Sequence, residues 1–128
     1  MVDVRQRRWL RRIANATLAY PIVVVGLWYG EWFAAWFVLG RQPIPWEDDP
    51  YYMVGVAGWI YYITFVALIG ILPVGPAAIF SNLMHIALNR PTAVQAGIRL
   101  QTLVALWLGM WVLVFTDPYY PILKWWID

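Results

Sequence analysis

Twenty consecutive residues without a formal charge run from Met53 to Leu72 (MVGVAGWIYYITFVALIGIL). An α-helix needs about 20 apolar residues to cross the hydrocarbon layer of a bilayer. The whole chain of 128 residues is 62% hydrophobic and only 12% charged, whereas a soluble domain carries roughly twice that charged fraction. The sequence therefore predicts an all-α integral membrane protein.

Two other apolar runs are long enough to cross a bilayer. The first covers residues 13–39 and contains one formally charged side chain, Glu31. The last begins after Pro91 and ends at Phe115, just before Thr116-Asp117-Pro118. We predict a single transmembrane domain, 1–128, with three transmembrane helices over about 13–39, 53–72 and 92–115.

The segment after the second span has a different character. Pro73 and Pro76 interrupt the apolar run, and proline removes an amide donor from a helix interior. The following stretch, 77–89, is too short to cross a bilayer, and its polar side chains share one helical face: Ser81, Asn82, His85 and Asn89. We predict an amphipathic cytoplasmic-side helix, which either lies in the interface or extends the second span as a kinked continuation.

Positive charge sets the expected orientation, because cytoplasmic loops of membrane proteins are enriched in lysine and arginine. One predicted side carries Arg5, Arg7, Arg8, Arg11, Arg12, Arg90 and Arg99. The other side carries Arg41 and Lys124, with the proline-rich acidic segment 41–50 as an external loop. We expect a bacterial cytoplasmic (inner or intracytoplasmic) membrane, a cytoplasmic N-terminus, and an external C-terminus at which residues 119–128 form an interfacial anchor.

The basic N-terminal arm is expected to contact lipid headgroups, and we do not expect a nucleic-acid partner. Its five arginines are Arg5, Arg7, Arg8, Arg11 and Arg12.

Glu31 is the one carboxylate inside a predicted span, and such a group is a functional hypothesis by default. One interpretation makes it a proton carrier. The other, which we favour, pairs it with a donor on a partner or lets it reach the external headgroups. A relay is disfavoured because no second carboxylate, lysine or histidine lies at that depth.

Two strips of small residues predict helix-packing surfaces, because a helix backbone can be approached closely where side chains are short. The first helix carries Gly26, Gly30 and Ala34 at four-residue spacing. The third helix carries Gly97, Gln101, Ala105 and Gly109. Together the two strips indicate at least one more packing surface than three helices need to pack against one another.

The chain contains ten Trp, eight Tyr and five Phe residues. Trp28, Trp32 and Trp36 follow one another at four-residue spacing. One explanation is an exaggerated aromatic belt at the membrane interface. The other is that these rings pack against a neighbouring subunit, a quinone, a carotenoid or a chlorophyll.

His85 is the only histidine and the chain has no cysteine, so a zinc site built from this chain is not expected. A single imidazole would suffice as axial ligand of one chlorophyll magnesium. The alternative is a polar-face histidine bonded to backbone or headgroup.

We find no phosphate loop, nucleophile with a base, or metal-ligand helix, and therefore do not expect an enzyme. The sequence favours a non-catalytic accessory subunit of a larger energy-transducing membrane complex, photosynthetic or respiratory, in contact with other membrane subunits and lipids. A pigment- or quinone-binding antenna-type subunit is one alternative, through His85 and the tryptophans. A small proton-coupled transporter that depends on Glu31 is the other.

Overall fold

The computed structural model describes residues 3–45, 47–53, 55–116 and 121–127, and all regular structure within them is helical. A short 3₁₀ turn, Pro50–Tyr52, lies between the first two α-helices. The α-helices are α1 (Val4–Leu39), α2 (Val56–Asn89), α3 (Ala93–Phe115) and α4 (Ile122–Ile127).

Three of these helices are long and apolar enough to cross a membrane: α1, α2 and α3. Even α3, with 23 residues, is roughly 35 Å long, against about 30 Å for the hydrocarbon layer. The prediction of three spanning helices is confirmed to this extent, and α1 and α3 end where the sequence predicted, at Leu39 and Phe115.

The arginine-rich arm is itself helical. Because α1 begins at Val4 rather than at residue 13, the five arginines occupy its first turns. Their side chains are exposed, and the Arg12 guanidinium lies over the Trp9 ring, 5.4 Å from its centroid.

The helix that contains the predicted second span does not end at Leu72, because α2 continues through Pro73 and Pro76 to Asn89. Residues 77–89 are thus the last part of α2 and form no separate amphipathic helix. Proline inside a spanning helix is tolerated where neighbouring helices and hydroxyl side chains satisfy the freed backbone groups. Of the two arrangements left open by the sequence, continuation of the second span is the one observed.

The chain divides into two compact units, Met1–Pro21 with Gly70–Leu108, and Ile22–Ile69 with Gly109–Asp128. In sequence the first has seven arginines and one aspartate, and we call it the arginine-rich unit. The second has six acidic residues against Arg41 and Lys124, and we call it the acidic unit. Charge of opposite sign is therefore segregated between the two units.

Polar side chains point inward in the arginine-rich unit. Ser81 and Asn82 are 3% and 0% exposed, whereas Ile79 and Phe80 on the same helix are 58% and 67% exposed. Two members of the polar face predicted for residues 77–89 are thus buried, because Ser81 bonds to α1 and Asn82 to α1 and α3, whereas Asn89 at the end of the same face is exposed. A soluble amphipathic helix has the opposite arrangement.

The acidic unit likewise has buried polar side chains and exposed apolar ones. Glu31 and Thr64 are buried, while Phe37 and Val66 are strongly exposed. Buried polar groups beneath an apolar surface are what an apolar surrounding medium requires. This distribution and the three long apolar helices both suggest membrane insertion.

Candidate functional sites

Glu31 on α1 is a buried carboxylate without a hydrogen bond from the described residues. The residue is 1% exposed, and neither carboxylate oxygen has a hydrogen-bond partner in the part of the chain that the structure describes. The Thr64 hydroxyl and the Trp126 indole face it, but neither meets hydrogen-bond geometry. Instead, Thr64 Oγ1 donates to the Ile60 carbonyl at 2.8 Å. The carboxyl group therefore does not reach an exposed position on this chain.

The short helix α4 packs onto α1 and α2 beside Glu31. Trp126 lies against Trp28 and Tyr61, with ring centroids 5.4 and 4.8 Å apart. Trp125 meets Trp32 edge-on, and its indole N–H donates to the Asp48 carbonyl. The C-terminal segment predicted as an interfacial anchor thus places Trp125 in the interior of the acidic unit, 1% exposed. Tyr119 and Tyr120, also assigned to that anchor, lie outside the described residues.

The same region holds two buried donors without acceptors. The indole nitrogens of Trp28 and Trp126 have no hydrogen-bond partner among the described residues. A buried polar group left unsatisfied costs about 1–3 kcal/mol. Within the described residues no cation pairs with the Glu31 carboxyl group, and binding a proton is the simplest chemistry open to it.

The predicted tryptophan ladder is divided in the structure. Trp28 and Trp32 are 1% and 0% exposed and contact the α4 tryptophans. Trp36 is 37% exposed and stacks on Phe33, with centroids 6.1 Å apart. Of the three rings, Trp36 alone is open to a flat ligand without displacement of α4.

Two acidic residues of the 41–50 loop, Asp48 and Asp49, accept hydrogen bonds that stabilise the loop conformation. Asp48 accepts two hydrogen bonds from Arg41, at 2.7 and 3.0 Å, and one from the Ile44 amide at 2.9 Å. Asp49 accepts from the Tyr51 amide at 2.8 Å, at the start of the 3₁₀ turn. Within the described part of the chain no cluster of three His, Cys, Asp or Glu side chains could hold a metal ion.

A polar cluster in the arginine-rich unit was not predicted as a site. Asn82 of α2 donates to the Ala14 carbonyl of α1 at 3.3 Å and accepts from Arg99 Nε of α3 at 2.7 Å. Arg99 Nη2 donates to Asn15 Oδ1 at 2.9 Å. The Ser81 and Thr17 hydroxyl groups are hydrogen-bonded to each other, with their oxygens 3.2 Å apart. A sequence signal existed, since each of these polar residues lies within a long apolar run, but their meeting depends on helix register.

His85 lies in the same unit and is bonded to its own helix. Its Nδ1 is 3.0 Å from the Asn89 side-chain nitrogen, which also donates to the His85 carbonyl at 2.8 Å. The imidazole thus bonds to a side chain of its own helix, whereas the alternative expected a bond to backbone or headgroup. Ligation of a pigment by His85 stays a prediction.

The glycines of both small-residue strips lie in open space. A Cβ atom placed on Gly26, Gly30, Gly97 or Gly109 would meet no other described side chain or helix within 4 Å. Gln101 and Ala105 are exposed, and Ala34 is half-buried. By contrast, a Cβ on Gly58 would collide with the Met53 carbonyl oxygen. The glycines of the two strips are therefore not used for close packing among the residues that the structure describes.

No family model, curated protein or solved structure matches this chain. Function therefore has to be inferred from the side chains and their surroundings.

Proposed function

We propose that this protein is a non-catalytic accessory subunit of a larger membrane complex, in which it packs against and stabilises neighbouring subunits. The observation that carries the proposal is the open space beside Gly26 and Gly30 on α1, where an added Cβ would meet no other described side chain or helix within 4 Å. Glycine inside a helix costs about 1 kcal/mol relative to alanine. A strip of such residues on an outer helix face is useful when another backbone approaches it.

The bilayer is the proposed medium because buried polar groups lie beneath apolar surfaces in both units. We place the arginine-rich unit on the cytoplasmic side, by the rule that positive residues stay inside. This gives a cytoplasmic N-terminus and an external C-terminus, in a bacterial inner or intracytoplasmic membrane.

Exposed aromatic rings support contact with further subunits in the acidic unit. Phe37 is 88% exposed, Tyr52 75% and Trp59 73%. Broad rigid rings contribute much contact area with little loss of side-chain entropy. An energy-transducing complex, photosynthetic or respiratory, is the proposed setting. A bound quinone, carotenoid or chlorophyll would contact Trp36 or His85, because the rings of Trp28 and Trp32 are covered by the tryptophans of α4.

The test is extraction of the tagged protein from its native membrane in mild detergent, followed by identification of co-purifying chains and an absorption spectrum. We expect stoichiometric partner subunits. The Gly30→Leu variant should still fold, because the new side chain enters open space. It should no longer co-purify with the partner subunits, because the leucine blocks close approach of another helix. Val66→Leu, on the exposed face of α2, is the matched control and should keep them. An intact complex with Gly30→Leu would contradict the proposed interface.

A second candidate is favoured by one observation, the buried carboxylate of Glu31, which has no hydrogen-bond partner among the described residues. Here the chain oligomerises as a small proton-coupled transporter and Glu31 carries the proton. In proteoliposomes with an imposed membrane potential, Glu31→Gln should abolish proton uptake while the exposed control Glu47→Gln retains it. Equal uptake by wild type and Glu31→Gln would end this candidate.

A further inference from the structure

Arg99 carries a positive charge into the arginine-rich unit, and the acceptors that it meets among the described residues are neutral amide oxygens. Its Nε donates to Asn82 Oδ1 at 2.7 Å and its Nη2 to Asn15 Oδ1 at 2.9 Å. A guanidinium has five N–H donors, and among the residues that the structure describes no acceptor bonds to Nη1. The two amide oxygens fix the orientation of the group and leave its Nη1–Nη2 edge available.

The unit supplies no carboxylate to neutralise this charge. Asp3 is its one acidic residue in sequence. Since a helix rises about 1.5 Å per residue, Asp3 lies roughly 18 Å from the level of Asn15 along α1. Arg99 and Arg11 both act electrostatically on His85, so a second cation lies near this level. Arg99 is half-buried, and a cation that is partly withdrawn from water without an anion is costly in an apolar medium.

We propose that the free edge of Arg99 is a binding site for a phosphate group, with Asn82 and Asn15 as positioning residues. The parallel N–H groups of a guanidinium match two phosphate oxygens in a bidentate pair. Arg11 adds positive charge without supplying a competing acceptor.

The depth of the site points to a phospholipid headgroup as the source of that phosphate, if the chain is inserted as proposed above. Arg99 lies six residues after the start of α3 at Ala93, which is roughly 9 Å along the helix axis. A long arginine side chain at that depth can extend toward the headgroup layer. A soluble phosphate compound could make the same bidentate pair with Arg99, and the experiment below distinguishes it from a lipid.

The test measures thermal unfolding of the full-length chain in a neutral detergent, with three additions. Phosphatidylglycerol supplies a lipid phosphate, glycerol phosphate a soluble one, and monoolein a lipid without phosphate. We expect phosphatidylglycerol to raise the unfolding temperature and monoolein to leave it unchanged. An equal rise with glycerol phosphate assigns the site to a soluble ligand. No rise with either phosphate compound overturns the proposal.

Arg99→Gln should weaken the apparent affinity for phosphatidylglycerol about tenfold or more, because a charge-assisted pair is lost. Arg90→Gln removes the same charge from an exposed position of the same unit and should keep wild-type affinity. Equal affinity of Arg99→Gln and wild type would overturn the proposal.

Asn15→Asp covers the case in which Arg99→Gln fails to fold. It replaces an amide oxygen that Arg99 already contacts with a carboxylate oxygen of similar shape, and so gives the guanidinium an internal counter-ion. The variant should unfold at a higher temperature without lipid and lose most of its response to phosphatidylglycerol. A full wild-type response in this variant would contradict a site at Arg99.

Discussion

The Trp125 ring meets the Trp32 ring edge-on, with centroids 5.3 Å apart and planes at 79°. Trp125 belongs to α4, a helix of six residues. Helices much shorter than about 12 residues are marginal in water without tertiary contacts. The helical form of α4 therefore depends on its packing against α1.

Trp125→Ala should destabilise the acidic unit by about 3–5 kcal/mol, the usual cost of truncating a buried tryptophan. The substitution removes the edge-on contact with Trp32 and the hydrogen bond to the Asp48 carbonyl. Thermal unfolding in detergent, followed by circular dichroism, measures the loss. Trp59→Ala, at a ring that is 73% exposed, is the control and should change stability little. Equal effects of the two substitutions would mean that α4 is not packed as described.

Glu31→Met should leave the isolated chain as stable as wild type or make it more stable. Methionine has a similar volume and removes two buried oxygens that have no partner among the described residues. Replacing an unsatisfied polar group by an apolar one of the same shape is neutral or favourable. A fall of more than about 1 kcal/mol in unfolding free energy would instead reveal a hydrogen bond to the carboxyl group.

Two glycines of the acidic unit should respond in opposite directions to alanine. A Cβ on Gly58 collides with the Met53 backbone carbonyl, so Gly58→Ala should cost about 1–3 kcal/mol through forced backbone shifts. A Cβ on Gly26 meets open space, so Gly26→Ala should stabilise the isolated chain by up to about 1 kcal/mol through helix propensity. Chemical or thermal unfolding of both variants in detergent checks the sign of each effect, and a loss of stability in Gly26→Ala would show that this strip is occupied within the chain.

The number of long helices could be predicted from the sequence, because each span is a long run of apolar residues. The ends of α1 and α3 were predictable too, at Leu39 and Phe115. The end of α2 was not, because Pro73 and Pro76 are stop signals in a soluble helix but not in an apolar one whose neighbours satisfy the freed groups.

The sites were harder to predict because they depend on contacts between residues distant in sequence. Glu31 stands out in sequence, yet its burial beside Trp126 depends on α4, which was expected to lie at the interface. Arg99 and Asn82 are each visible as polar residues in apolar runs. Their 2.7 Å hydrogen bond follows from the relative register of α2 and α3, which hydropathy does not encode.

The most direct test of the proposed interface is photo-crosslinking in the native membrane from a single cysteine placed at Gly30. The natural chain has no cysteine, so a benzophenone maleimide label reports this one position on α1, and a cysteine at Val66 of α2 serves as the control. We expect the Gly30 label to give one dominant adduct with a defined protein partner, and the Val66 label to give lipid adducts. Lipid adducts alone from both positions would contradict the account of this protein as a subunit of a complex.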